Sequence, residues 1–370
     1  MIDQQLAEFS SLLIVITIVL YVLALIGFTA DLAGTTARRS DARLAAREAK
    51  EAREPVGVAA SGAIDSASVD TTGAHTGVGG TDAPVAGSGG QDPAADRGAT
   101  GGVPAQGMSA QRFAFLIAGA GTALHLGGVI LRAMATQRVP WTNMYEFAIT
   151  SAALVMAAFL VFSIKRHDLR ALGTFVVGPI LLLLFIAQRF WIVPAAELTP
   201  SLQNSHWLVI HIGVAILATA LSILGAVVAV MQLLQARHER ALVEKVAAGE
   251  EHPEHWGRFG HVLDRLPSSS VLEGLSFRIH SVGFVCWTFT LIFGAIWARD
   301  AWGRYWNWDP KEVWTFVIWV IYAAYLHARA TGGFRGSRAA WLALAGFVAV
   351  VFNYTIVNTV INGLHSYSGL

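Results

Sequence analysis

Residues Trp297–Trp319 read WARDAWGRYWNWDPKEVWTFVIW and hold six of the chain's twelve tryptophans. Long apolar segments, 274–297 and 312–329, run into the stretch from both sides, so it connects two helices that live in an apolar medium. Trp302, Trp306 and Trp308 are spaced too closely, and mixed too freely with Gly303, Arg304, Tyr305 and Asn307, to form one buried helical face. They suit a shelf of indole faces at a membrane surface. An interfacial aromatic belt accounts for one or two such rings. Four between Trp302 and Trp314 point to a platform for a large flat apolar ligand. Asp309-Pro310-Lys311-Glu312 places an N-cap acid, a proline at the first helical position and a glutamate at N3, the pattern that opens a helix. Asp309 and Glu312 are therefore structural residues, site residues or both.

Composition sets the class. Of 370 residues, 54% are hydrophobic and 14% charged, against roughly a quarter charged in soluble domains. The expected fold is an all-α polytopic membrane protein. A net charge of +1 offers nothing to nucleic acid, and membrane lipid is the surrounding partner. The single cysteine, Cys286, excludes a disulfide framework or a CxxC pair within the chain and reads as a small buried hydrophobe.

Working outward, Ser11–Ala30 is long enough to span a bilayer, with Asp3 and Glu8 before it and a basic cluster from Arg38 to Arg53 after it. That polarity fits an uncleaved anchor, residues 1–37, with its N-terminus outside, rather than a signal peptide. Residues 38–111 begin as a charged helical extension and continue as Gly, Ala, Ser, Thr and Asp, without an aromatic between Phe28 and Phe113. Such a composition predicts a disordered cytoplasmic linker. Seven further spans follow, at 112–135, 144–164, 171–191, 207–235, 274–297, 312–329 and 338–362, and make 112–370 a seven-helix domain. Alternating sides puts 20 of the 26 Lys and Arg inside, and places the C-terminus and the tryptophan loop, 297–314, outside. Asn143 and Glu146 form a second N-cap and N3 pair. His252 and His255 lie in a mixed-charge inner connector that lacks a matching pair at metal-ligand spacing.

Ionisable side chains at membrane depth are costly, and five histidines lie in or beside spans. His211 sits one turn into a span that starts outside, and His365 follows Gly363 at the outer end of the last one. Both share the depth of the tryptophan shelf. Two imidazoles flanking an aromatic platform is the arrangement a bis-histidine haem requires, with His206 the rival to His211. His327, 17 residues after Pro310, lies about 26 Å down its helix, near the inner interface of a roughly 30 Å hydrocarbon core. It marks either a second, inner site or a histidine reaching the interface. His125 and His280 are expected to hydrogen-bond across helices. Arg132, Arg138, Arg299, Arg304 and Lys311 are the outer cations available to haem propionates, and the sequence does not choose among them.

The run Trp302–Glu312 resembles the WWD signature of the haem-handling superfamily. Leu326-His327-Ala328-Arg329, Gly363-Leu364-His365-Ser366-Tyr367, the Trp207–His211 segment and Thr142–Glu146 are similar to the CcsA/ResC branch (CcsB in some lineages) of system II cytochrome c biogenesis. The resemblance covers about 112–370. It implies that haem b is held by His211 and His365 as axial ligands beside Trp302, Trp306, Trp308, Asp309 and Trp314, with His327 receiving haem earlier in transit. It implies a ResB-type membrane partner that supplies the other transmembrane histidine, an apocytochrome c whose CxxCH thiols meet the haem vinyls, and a thioredoxin-like thiol reductant. The chain would then be the haem-presenting subunit of a holocytochrome c synthase, in the plasma membrane with its haem site on the extracytoplasmic face. A system I-type WWD haem delivery protein, a quinone or small-molecule transporter, and a structural scaffold are the alternatives.

Overall fold

The computed structural model describes residues 3–51, 109–195, 205–250, 253–332 and 334–365. Among these there is no strand, and eight helices are long and apolar enough to cross a membrane. The chain divides into two compact units, Met1–Ser40 with Met108–Leu370, and Asp41–Gly107. Of the second, only the end of the first helix is described; the expected disordered linker otherwise lies outside the described residues.

The helices are α1 (Gln4–Glu51), α2 (Ala110–Thr136), α3 (Met144–Lys165), α4 (Gly173–Ile186), α5 (His206–Ala247), α6 (Gly257–Leu263), α7 (Ser269–Trp302), α8 (Pro310–Ala330), α9 (Ser337–Tyr354) and the short α10 (Ile356–Thr359). A 3₁₀ turn, His167–Leu172, leads into α4, and a π turn, Ala187–Trp191, ends it. Helices α5 and α7 outrun the expected spans because hydropathy marks only their most apolar portions, whereas α9 stops at Tyr354, short of the expected 362. At 1.5 Å per residue the 42 residues of α5 extend about 63 Å, roughly twice a bilayer core. The surplus end of α5 is tied back by α6, through His238 Nε2 on Asp264 Oδ1 at 3.0 Å, and by the N–H of Ser269, which donates to Glu239.

Between α1 and α2 the contact is close and polar. The hydroxyl of Ser10 donates to the Gly128 carbonyl at 2.7 Å, and a Cβ at Gly128 would come within 2.9 Å of Ile14. Tyr21 OH lies 3.0 Å from the Thr122 hydroxyl and 3.3 Å from His125 Nδ1, so His125 hydrogen-bonds across helices through Nδ1, while its Nε2 is buried without a hydrogen-bond partner among the described residues. One apolar core gathers Ile14, Tyr21, Ile149, Met156, Ile180 and Leu224 from α1 and α3 to α5. A second joins α5, α7, α8 and α9 through Ala218, Trp287, Ile318, Tyr322 and Ala343.

The frame of the site is the antiparallel pair α5 and α7. Contacts of residue 211 with 290 and of 225 with 276 follow one antiparallel register. His280 sits in this seam, against Gly225 and the Ser276 backbone carbonyl. Trp287 Nε1 donates to the Thr315 carbonyl and Trp319 Nε1 to the Thr288 hydroxyl, which lock α8 onto α7. At the other end of α8, Glu273 pairs with Arg329 and accepts the N–H of Gly336.

Candidate functional site

The tryptophan loop is shorter than its composition suggests. Helix α7 continues through Trp297 to Trp302 and ends at Gly303, which takes a left-handed conformation, φ 73°. The irregular segment is Gly303–Asp309, and Trp314 belongs to α8. Asp309 then caps α8 as the sequence predicts. Its carboxylate accepts the N–H of Lys311 at 3.2 Å, and Glu312 Oε2 accepts the N–H of Asp309 at 3.1 Å and that of Asn307 at 2.8 Å. A left-handed Trp308, φ 58°, makes the turn that brings both N–H groups onto one oxygen. Arg304 closes the cluster on Glu312 Oε1 at 2.8 Å.

Asp309 also reaches beyond the cap. Its Oδ2 accepts from His365 Nδ1 at 2.8 Å, and its Oδ1 from the N–H of Leu364 at 2.7 Å. Burial opposes ionisation of this carboxyl, but the bonds from His365 and Leu364 outweigh it and hold the carboxyl below the usual aspartate range. One residue thus starts α8 and fixes the C-terminal histidine.

His211 is fixed in a parallel way. Its Nδ1 lies 3.0 Å from the Thr290 carbonyl, which can only accept; Nδ1 therefore carries the proton and Nε2 keeps its lone pair. The ring needs Gly294 beneath it, because a Cβ there would stand 2.7 Å from His211 Cε1. An imidazole whose Nδ1–H is bound by a carbonyl or carboxylate is the arrangement that orients histidine as a metal ligand. Both His211 and His365 have it.

Trp297 joins the two. It is 2% exposed, stacks on His211 at 5.9 Å between ring centroids with 10° between planes, and meets His365 edge-on at 5.8 Å. The two imidazoles therefore lie at most about 12 Å apart. Trp302 lies 4.9 Å from His365. Both histidines line one partly open cavity of about 180 Å³, enough for on the order of a dozen waters, walled by Trp141, Trp287, Trp297, Tyr305 and Trp306. Two oriented imidazoles above apolar rings fit the donor set and the planar apolar body of a porphyrin. Among the described residues no cluster of three or more His, Cys, Asp or Glu offers a site for a bare metal ion.

The other candidates fall elsewhere. Trp308 is 70% exposed and stands edge-on to Trp306, outside the cavity wall. Trp314 packs on Phe352 at 4.2 Å, in the second core. His206 is exposed at the start of α5 and does not line the cavity. His327 is exposed on α8, in line with Phe316, Val320 and Ala324 at helical spacing, so these residues form an open stripe. Glu146 makes only half of its expected capping box. The Asn143 side chain accepts the N–H of Glu146, while the Glu146 carboxylate turns to the N–H of Thr142 and is buried between Arg132 and Arg138. Trp297 lines the cavity although the sequence did not single it out as a site residue, and Lys311, one of the five outer cations, lines it too. Trp297 was legible only as the partner of Thr290 and Gly294 on one face of α7.

The family model for cytochrome C assembly protein matches residues 141–365, which include both histidines and the whole tryptophan segment. Proteins described as cytochrome c biogenesis protein CcsA are similar to this chain. That of Parasynechococcus marenigrum is 39% identical over 179 residues, 47% of this chain and 58% of the relative. That of Guillardia theta is 34% identical over 246 residues, 62% of this chain and 77% of the relative, and that of Chlamydomonas reinhardtii 38% over 173 residues, 47% and 43% respectively. The chain spans 58% and 62% of the length of the two cyanobacterial relatives from Parasynechococcus and Prochlorococcus marinus. A match over most of the helical domain, centred on the cavity, places the chain in the CcsA family of cytochrome c assembly proteins.

Proposed function

We propose that the cavity binds haem b between His211 and His365 and presents it, on the extracytoplasmic side of the plasma membrane, for thioether attachment to the CxxCH cysteines of apocytochrome c. The observation that carries this reading is the pair of imidazoles, each bound through Nδ1 and both lining one tryptophan-walled cavity. His211 and His365 would hold the haem iron, and the haem would supply the vinyl groups that react with thiols. The chain's own residues bind and orient. Thr290 and Asp309 hold the two Nε2 atoms in place, Trp297 packs against both rings and aligns them, and the indole walls exclude water. No general acid or base is required of this chain, and positioning is its contribution.

His327 on its open stripe suits a helix of a ResB-type partner that completes an inner haem site, and a thioredoxin-like reductant keeps the incoming cysteines as thiols. Deletion of the gene followed by complementation tests the function. Wild type restores covalent c-type cytochromes, while His211→Ala and His365→Ala accumulate the membrane protein without them. Normal cytochrome c levels in both variants would refute it, and would favour a pocket for another flat ligand.

A further inference from the structure

Five outer cations are available to the haem carboxylates, and their surroundings distinguish them. Arg132 and Arg138 are both committed to Glu146, at 3.3 and 2.8 Å, and Arg304 to Glu312 at 2.8 Å. Arg299 is exposed, 3.3 Å from the hydroxyl of Tyr305. Lys311 is the one Lys or Arg in the cavity wall, and its ammonium makes no ion pair among the described residues. Nζ donates to the Asn353 carbonyl at 2.9 Å and to Asn358 Oδ1 at 2.7 Å. An ammonium has three donors, so one remains.

The single carboxylate in the wall cannot serve that donor. Glu312 is engaged by Arg304 and by the N–H groups of Asn307 and Asp309. The cavity holds a second unmet donor as well, since the indole N–H of buried Trp297 has no hydrogen-bond partner. An ammonium without an ion pair, in a cavity wall that also holds an unmet indole N–H, is a costly arrangement unless an anion completes it. The surplus is cationic and donor-rich, and the complementary ligand group is a carboxylate.

Resting on the haem reading above, we infer that Lys311 anchors a haem propionate and makes the site select a porphyrin that carries free carboxylates. Lys311 stands two residues after Asp309 in the same helical cap. The residue that orients His365 and the residue that holds the propionate are therefore set by one turn of backbone, which fixes the rotation of the porphyrin about the axis between the histidines.

The test titrates the purified full-length protein, with its ResB-type partner, with haem and with haem dimethyl ester, and follows the Soret band. Wild type is expected to hold haem about 10-fold to 100-fold more tightly than the ester, the range of a charge-assisted hydrogen bond. Lys311→Met is expected to lose that preference while keeping a bis-histidine spectrum and ester binding, and Lys311→Arg to restore most of it. Equal binding of the two porphyrins by wild type overturns the proposal whatever the variants do, and so does a preference undiminished in Lys311→Met. Absence of a bis-histidine Soret band from wild type with either porphyrin overturns the haem reading itself, and the proposal with it.

Discussion

Replacing Asp309 by asparagine isolates one of its two roles. Asparagine caps helices about as well as aspartate, and its one side-chain oxygen, in the place of Oδ2, can still accept from Lys311, while the N–H of Leu364, which bonds to Oδ1, loses its acceptor. What disappears is the anionic acceptor 2.8 Å from His365 Nδ1. The cost to folding should therefore be small, and the cost to haem should follow from a lost carboxylate–histidine pair, about 10-fold to 100-fold in affinity. Asp309→Ala removes the cap as well, which adds about 1 kcal/mol of destabilisation. Thermal unfolding in detergent and haem titration read the two effects separately. The carboxyl also has a pH signature. Its ionisation is favoured in the folded protein, so its contribution to stability is complete above the ordinary aspartate range, near pH 4, and is lost as pH falls below it; Asp309→Asn should flatten that acid limb. An asparagine variant that holds haem as tightly as wild type would refute the argument that Asp309 orients a ligand.

Three further substitutions have defined outcomes. Gly294→Ala puts a Cβ 2.7 Å from His211 Cε1, so the imidazole must leave the Thr290 carbonyl; the low-spin spectrum of the haem complex should be lost while the helices remain, as circular dichroism would report. Glu146→Gln removes the charge of the buried carboxylate that Arg132 and Arg138 share, a loss of about 3–5 kcal/mol that should appear as a lower melting temperature and poor accumulation in membranes. His327→Ala, at an exposed position, should leave unfolding unchanged yet lower the haem content of the complex isolated with its partner, measured by pyridine haemochrome.

The sequence exposed most of the fold because apolar runs and caps are local properties. Eight spans, the cap at Asp309 and the common depth of His211 and His365 all follow from residues close together in the chain. The wall of the cavity was harder to see. Six tryptophans announce a site, but which of them faces it depends on the phase of α7 and α8, set by packing between helices distant in sequence. The rings of Trp297 and Trp306 line the cavity, that of Trp314 turns to Phe352, and that of Trp308 lies in the open. Lys311 was indistinguishable from four arginines until Glu146 and Glu312 were seen to have claimed three of them. The continuation of α7 to Trp302 was hidden by Arg299, Asp300 and Gly303, which read as loop residues but sit on an exposed helical end.

The central claim, that His211 and His365 hold one haem, is tested most directly by the reduced absorption spectrum of the purified complex. Wild type should show a bis-histidine spectrum that collapses in His211→Ala and in His365→Ala and returns in each when imidazole is added. Wild-type spectra in both variants, or a wild-type complex that binds no haem, would contradict it.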